Sequence, residues 1–210
     1  MAPSANRSGN VSPTTAQHVL HDLRDRIDLL INDGPAPLGI ESTIVACLDG
    51  PVLLRPGAVE RDAIEKVLGA PLAAPARTAR RRAGKARPAP AAPVAPGMLA
   101  SHYAPRTPLR INVKKVAPGE ALLAFGEGLP PGAGAAATIL NLSARGDLVE
   151  AAANLFSHLR LLDAAGTAAI AVMPVPDDGL GEAINDRLRH AAAPRPPPSQ
   201  PLPASGGGCS

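Results

Sequence analysis

The 210-residue sequence predicts an α/β fold, and three observations carry that prediction. From Pro108 onward, short apolar runs with strand character alternate with amphipathic helical stripes, the pattern of an open sheet with crossover helices. Before Ala70, a pair of strands and two helical stripes form a separate block. Between the two, residues 71–97 combine Pro and Ala with Arg77, Arg80, Arg81, Arg82, Lys85 and Arg87 and contain no acid. A stretch of that composition has no periodic apolar face to bury and reads as a basic linker.

Taken in order, Ser12 followed by Pro13 reads as an N-cap with proline at the first helical position. Ala16, Val19, Leu20, Leu23 and Ile27 then recur at helical spacing, predicting a helix with one face turned inward. Leu29 to Ile31 is a short apolar run closed by Asn32, Asp33 and Gly34. The segment STIVACLDGPVLLRPG predicts a hairpin turning at Asp49-Gly50. Val59, Ala63, Ile64, Val67 and Leu68 predict a second helix, ended by Gly69 in a left-handed C-terminal position. Beyond the linker, LRINVKKV, ALLAF and TILNLS predict strands, and Leu148, Ala152, Leu155, Phe156, Leu159 and Leu162 mark a long helix. AAIAVM predicts another buried strand, followed by a Pro-Asp-Asp-Gly loop and a helix over GEAINDRLRHAA. The division expected is a first part over 1–70, a linker over 71–107, a second domain over 108–192 and a low-complexity, disordered tail over 193–210.

Composition narrows the function classes. A hydrophobic content of 45% supplies a core, while 25 Pro and 20 Gly require linkers or a tail. One Tyr, two Phe and no Trp exclude a platform of stacking rings for single-stranded nucleic acid. A net charge of +3 permits contact with phosphate without demanding it. Cys47 and Cys209, far apart, make neither a disulfide framework nor a zinc knuckle and suit a reducing compartment. The polar start MAPSANRSGN has no apolar core for a signal peptide, and no run reaches the roughly 18 apolar residues of a membrane span, so a soluble, cytoplasmic protein without membrane contact is expected.

Two polar clusters are candidates for chemistry. In APSANRSGNVSPTT, the hydroxyls of Ser4, Ser8 and Ser12 with Asn6, Arg7 and Gly9 lead into a helix start, where open N–H groups suit an anion. A polar loop whose serines merely cap the helix fits the same residues. In DGPAPLGIESTIV, a Gly/Pro-rich loop delivers Glu41, Ser42 and Thr43 to a strand start, either to face a ligand or as a solvated turn. Arg55, ending the second strand, either grips a phosphate or pairs with a nearby acid. Tyr103 in GMLASHYAPRTP is either an apolar anchor or a lid. His18, His21, Asp22 and Asp25 lack a third strong ligand and are read as a wet helix face, not a metal site. Gly126 and Gly128 precede Pro130-Pro131 where a phosphate-binding helix would have to begin, so no dinucleotide loop is assigned. The basic linker offers a weak, salt-dependent contact for RNA or a simple solvated charge run.

Together, APSANRSGNVSPTTAQHV, GIESTIV, LLRPGAV, PGMLASHYAP and GLGEAINDRL, in this order, resemble the long form of the threonylcarbamoyl-AMP synthase family. The first three resemble the C-terminal part of its YrdC-like α/β domain, which the resemblance joins through a linker to a small Rossmann-like domain. It implies formation of threonylcarbamoyl adenylate and pyrophosphate from L-threonine, bicarbonate and ATP, with magnesium accompanying the ATP and the product passing to tRNA-modifying enzymes. By the same resemblance Ser4, Ser12, Arg55 and Tyr103 are expected to meet ATP, Ala2 and Ser42 to meet threonine, and Asn6 to line the pocket. No residue is assigned as a protein nucleophile, because attack of a carbamate oxygen on the α-phosphorus needs alignment and charge neutralisation.

The family's domain starts well before its S-x-N loop and carries a K-x-R motif there, whereas this chain opens at the loop, so a shortened form is expected. Its first 70 residues are then expected to leave strand edges and apolar faces open, and the chain alone to lack turnover. The competing expectation is a non-catalytic module that holds nucleotide or RNA.

Overall fold

A computed structural model describes residues 5–7, 9–47, 50–75 and 103–194. Ala2, Ser4, Ser8, Asp49, the six basic residues of the linker, Cys209 and the tail beyond residue 194, all named above, lie outside the described residues.

The hairpin of the first part is present, with β1 (Ile44–Cys47) antiparallel to β2 (Pro51–Arg55) and a register shift between Ile44 and Val45. Helix α2 (Arg61–Leu68) ends at Gly69 with φ of 65°, the left-handed turn expected from its glycine. Its apolar stripe is not buried, however: Val67 is 87% exposed, and Ile31 in the loop before the hairpin is 84% exposed. Helix α1 (Ala16–Leu23) differs from expectation in two ways. Its N-cap is Thr15, whose hydroxyl accepts from the His18 N–H, because Ser12 is drawn into a long-range contact instead. Its buried residue is Asp22, while Leu20 is exposed and Ile27 lies beyond a 3-10 turn over Arg24–Arg26. The helix therefore docks through a carboxylate rather than through the apolar stripe.

The second part is an open parallel sheet in the order β3-β6-β4-β5, built from β3 (Leu109–Arg110), β4 (Ala121–Ala124), β5 (Thr138–Asn141) and β6 (Ile170–Val172). β3 is far shorter than LRINVKKV predicts, because Asn112 takes φ of 57° and turns the chain away from the ladder. Helix α3 (Leu148–Ala164), capped by Asp147 through the N–H groups of Val149 and Glu150, crosses from β5 to β6, and α4 (Leu180–Ala192) follows β6. Side chains alternate across the strands. Ala121, Leu123, Ile170 and Val172 pack with the stripe Ala151, Ala152, Leu155, Phe156, Leu159 and Leu162 of α3 and with Leu180, Ile184 and Leu188 of α4. Leu122, Ala124 and Ala171 face the other way, onto Val113, Val116 and Ala133. Both faces are thus dry, which is why these strands are continuous apolar runs rather than alternating ones. Both long helices share one face, and loop residues cover the other. Among the described residues no helix is long and apolar enough to cross a membrane.

The two parts touch closely. Gly39, with φ of +66°, lies against α3 so that a Cβ there would run into the Ala152 carbonyl and the Ala153 backbone. Gly39→Ala therefore combines a left-handed strain with a backbone clash and is expected to cost about 2–4 kcal/mol of stability. Urea unfolding checks this, and a loss below about 0.5 kcal/mol, the scale of an ordinary surface change, would show that the loop is not pinned there.

Candidate functional site

Ser12 sits where α3 grips the opening loop. Arg160 of α3 donates to the carbonyls of Val11 and Ser12, the latter at 3.3 Å, and meets the Asp22 carboxylate at 2.6 and 3.2 Å. The Thr14 hydroxyl lies 2.7 Å from that of Ser157 on the same helix. Held this way, the Ser12 hydroxyl donates to Glu41 Oε1 at 2.6 Å. The open helix end that the sequence places beside Ser12 is instead partly closed, since His18 Nδ1 receives the Thr14 N–H.

Glu41 and Ser42 are set by the end of β2. The Glu41 carbonyl accepts from the Ala58 N–H at 3.1 Å, and Gly57 is required at this crossing because a Cβ would meet the Glu41 carbonyl and Ser42 backbone. Arg55, buried at the strand end, donates to the Ser42 carbonyl from Nε and Nη2 at 3.1 and 2.8 Å and to the Ser42 hydroxyl at 3.3 Å. The Thr43 hydroxyl donates to the Val59 carbonyl and accepts from its N–H, so Thr43 is a strut while Ser42 stays exposed.

Tyr103 enters from the opposite side. It is 1% exposed, has φ of 59°, and stacks on Phe156 of α3 with ring centroids 5.5 Å apart. The next residue, Ala104, ties back to the opening loop through its N–H to the Gly9 carbonyl at 3.0 Å. Over the ring lies the guanidinium of Arg187, 5.1 Å from the centroid. Burial pushes the Tyr103 phenol up, and the positive charges of Arg187 and Arg55 pull it back.

Arg187 is 0% exposed and heavily partnered. Nε meets Glu41 Oε2 at 2.8 Å, and Nη1 reaches the Pro56 carbonyl at 3.0 Å and Asp186 Oδ2 at 2.7 Å. Burial works against its charge, but Glu41, Tyr103 and Asp186 more than offset this and raise its pKa.

Of the residues predicted from sequence, the structure thus brings Ser12, Ser42, Arg55 and Tyr103 to one locality built around Glu41. Ala2 and Ser4 lie outside the described residues. Asn6 spends its side-chain amide on the carbonyls of Arg7 and Asn10. Arg160 and Arg187 were missed. A signal existed for the second, since Arg187 falls three and four residues after Ile184 and Ala183, on the apolar face of its helix. Among the described residues no group of three or more His, Cys, Asp or Glu side chains is placed to hold a metal ion.

A family model described as "Threonylcarbamoyl-AMP synthase, C-terminal domain" matches residues 59–193. The chain belongs to the threonylcarbamoyl-AMP synthase family. A second family model, described as "Telomere recombination", matches residues 1–57. A threonylcarbamoyl-AMP synthase of Bacillus subtilis is 35% identical over 206 residues, covering 92% of this chain and 57% of its own length. One of Pyrococcus abyssi is 36% identical over 208 residues, again covering 57% of its own length. The chain therefore spans little more than half the length of these threonylcarbamoyl-AMP synthases. A crystal structure of P. abyssi Sua5 complexed with L-threonine superposes with a TM-score of 0.73 at 31% identity, over 91% of this chain and 57% of that one. A second P. abyssi Sua5 structure, with a consecutive His-Tyr pair changed to alanines, gives 0.69 at 29% identity.

Proposed function

We propose that the chain contributes a nucleotide- and threonine-binding site for synthesis of threonylcarbamoyl adenylate. In this reaction the threonine amine and bicarbonate give a carbamate with loss of one water, and a carbamate oxygen then attacks the α-phosphorus of ATP as the bond to the β-phosphate breaks and pyrophosphate leaves. The product serves tRNA modification by downstream enzymes, in the cytoplasm. The observation that carries the reading is the convergence of Ser12, Glu41-Ser42, Arg55 and Tyr103, from four separate stretches of chain, on one locality. Family membership and similarity to a threonine-bound relative support it.

The roles follow from the contacts. Ser42, exposed beside Arg55, presents its hydroxyl to the threonine or its carbamoyl group, and Ala2 is the second residue proposed to meet threonine. Arg55 adds a fixed positive charge for the phosphates. Ser12 has its one proton committed to Glu41, so toward ATP it offers lone pairs to a ribose hydroxyl and not a proton to a phosphate oxygen. Ser4 is the other serine proposed to meet ATP, and Asn6 keeps the loop folded through its own backbone contacts. Tyr103, with Phe156 on one face and Arg187 on the other, backs the nucleotide site from within the packed wall instead of closing over it as a free lid. This chain contains one His-Tyr pair, His102-Tyr103, the same pair of residue types that was altered in the P. abyssi variant. Magnesium comes with the triphosphate and would neutralise its charge; none of the contacts above depends on it.

Calorimetric titration with ATP and magnesium, with and without L-threonine, tests the reading. Saturable binding is expected, tightened by threonine and weakened by about tenfold in Ser42→Ala when threonine is present, the scale of one hydrogen bond to a charged group. A chain that ignores ATP under both conditions would overturn it.

A further inference from the structure

We infer that Arg187 is a positioning residue of the nucleotide site, acting through Glu41 on Ser12 and through its guanidinium face on Tyr103. The inference rests on the reading of the site given above. Arg187 belongs to α4, and its bonds reach three separate stretches: Glu41 before the hairpin, Pro56 after it, and Tyr103 ahead of β3. The Glu41 carboxylate divides its two oxygens, Oε2 to Arg187 at 2.8 Å and Oε1 to Ser12 at 2.6 Å. A guanidinium is suited to this because its planar fork sets Nε and Nη1 in fixed directions while its face covers an aromatic ring. A lysine would supply the charge without the fork. The arrangement gives α4, remote from the reacting atoms, control over where the Ser12 oxygen and the Tyr103 ring stand. Arg187 and the Tyr103 ring are buried, at 0% and 1% exposure, and Ser12 nearly so, while the Glu41 carboxylate that links them keeps 21% exposure, so the fixed end of the relay is the arginine.

A purely structural role, in which Arg187 only clips α4 to the first part, makes a different prediction, and a second ion pair provides the comparison. Arg61 donates to Glu182 of the same helix at 2.6 and 3.1 Å and to the Leu72 carbonyl, touching none of Ser12, Ser42, Arg55 or Tyr103. The experiment prepares Arg187→Lys, Glu41→Gln and Arg61→Met in the full chain, verifies their helix content by circular dichroism, and measures ATP affinity with the near-ultraviolet signal of the chain's one tyrosine. Arg187→Lys and Glu41→Gln are expected to weaken ATP about ten- to hundredfold, the usual range for losing a group that orients a ligating residue. Arg187→Lys should also change the tyrosine signal, because Tyr103 is its source, whereas Arg61→Met should bind ATP as the unmodified chain does. Equal affinity in the unmodified chain, Arg187→Lys and Glu41→Gln would overturn the inference alone. So would an equal loss in Arg61→Met, which would mark a general clip. Failure of the unmodified chain to bind ATP at all would instead overturn the functional reading beneath it.

Discussion

Arg160→Met is expected to lower the unfolding free energy by about 3–5 kcal/mol, the usual cost of breaking a buried ion pair from one side. Arg160 and Asp22 are only 14% and 7% exposed, so neither charge has water to replace the other. The substitution keeps the apolar stem of the side chain but removes the guanidinium, leaving the Asp22 carboxylate without its cation and the Val11 and Ser12 carbonyls without their donor. Each orphaned acceptor adds a desolvation cost of its own. Urea unfolding measures the effect as a lower midpoint at unchanged slope. Replacing Asp22 as well, in an Arg160→Met/Asp22→Leu double variant, should recover part of the loss because no buried charge remains unpaired. A single-variant loss below about 1 kcal/mol, the value of an exposed pair, would mean that the loop holding Ser12 does not depend on α3.

Phe156→Ala should be comparably severe, at about 3–5 kcal/mol. Phe156 is fully enclosed in the cluster formed by α3, α4 and the sheet, and it is also the surface on which the Tyr103 ring lies, with an interplanar angle of 28°. Its truncation opens a cavity and removes one side of the sandwich whose other side is Arg187. Two readouts separate these consequences. The unfolding midpoint reports the cavity, and the near-ultraviolet signal of Tyr103 reports loss of its fixed stacking. A destabilised variant with an unchanged tyrosine signal would show that Arg187 alone orients the ring; a loss under about 1.5 kcal/mol would show that the cluster closes around the gap.

Much of the fold could be read from local pattern. The stripe through Leu155, Leu159 and Leu162, the apolar runs ALLAF and AAIAVM, and Gly69 at the end of α2 each carry their structural meaning within a few residues. The same is true of the hairpin, whose two short apolar runs on either side of an Asp-Gly dipeptide suffice. Local pattern failed where a distant partner outbid it. Ser12-Pro13 has the form of a helix start, yet Glu41, 29 residues on, takes the Ser12 hydroxyl, and the cap passes to Thr15. The run LRINVKKV looks like one strand, yet Asn112 turns it after two residues.

For the site, the identities of Ser12, Ser42, Arg55 and Tyr103 were visible as polar or aromatic residues in turn-rich stretches and through the resemblance of those stretches to a known family. What brings them together was not. Arg160 meets Asp22 across 138 positions and Arg187 meets Glu41 across 146; read locally Arg160 is just a charge on an amphipathic helix, and Arg187 shows only that it falls on the apolar face, not what it meets there. Burying a guanidinium is favourable only when acceptors converge on it from several directions, and that convergence is a property of the packed chain. The sequence alone determined where most of the strands and helices lie and the chemistry of the loops. Tertiary packing decided which charges leave water, and so which helices hold the site in place.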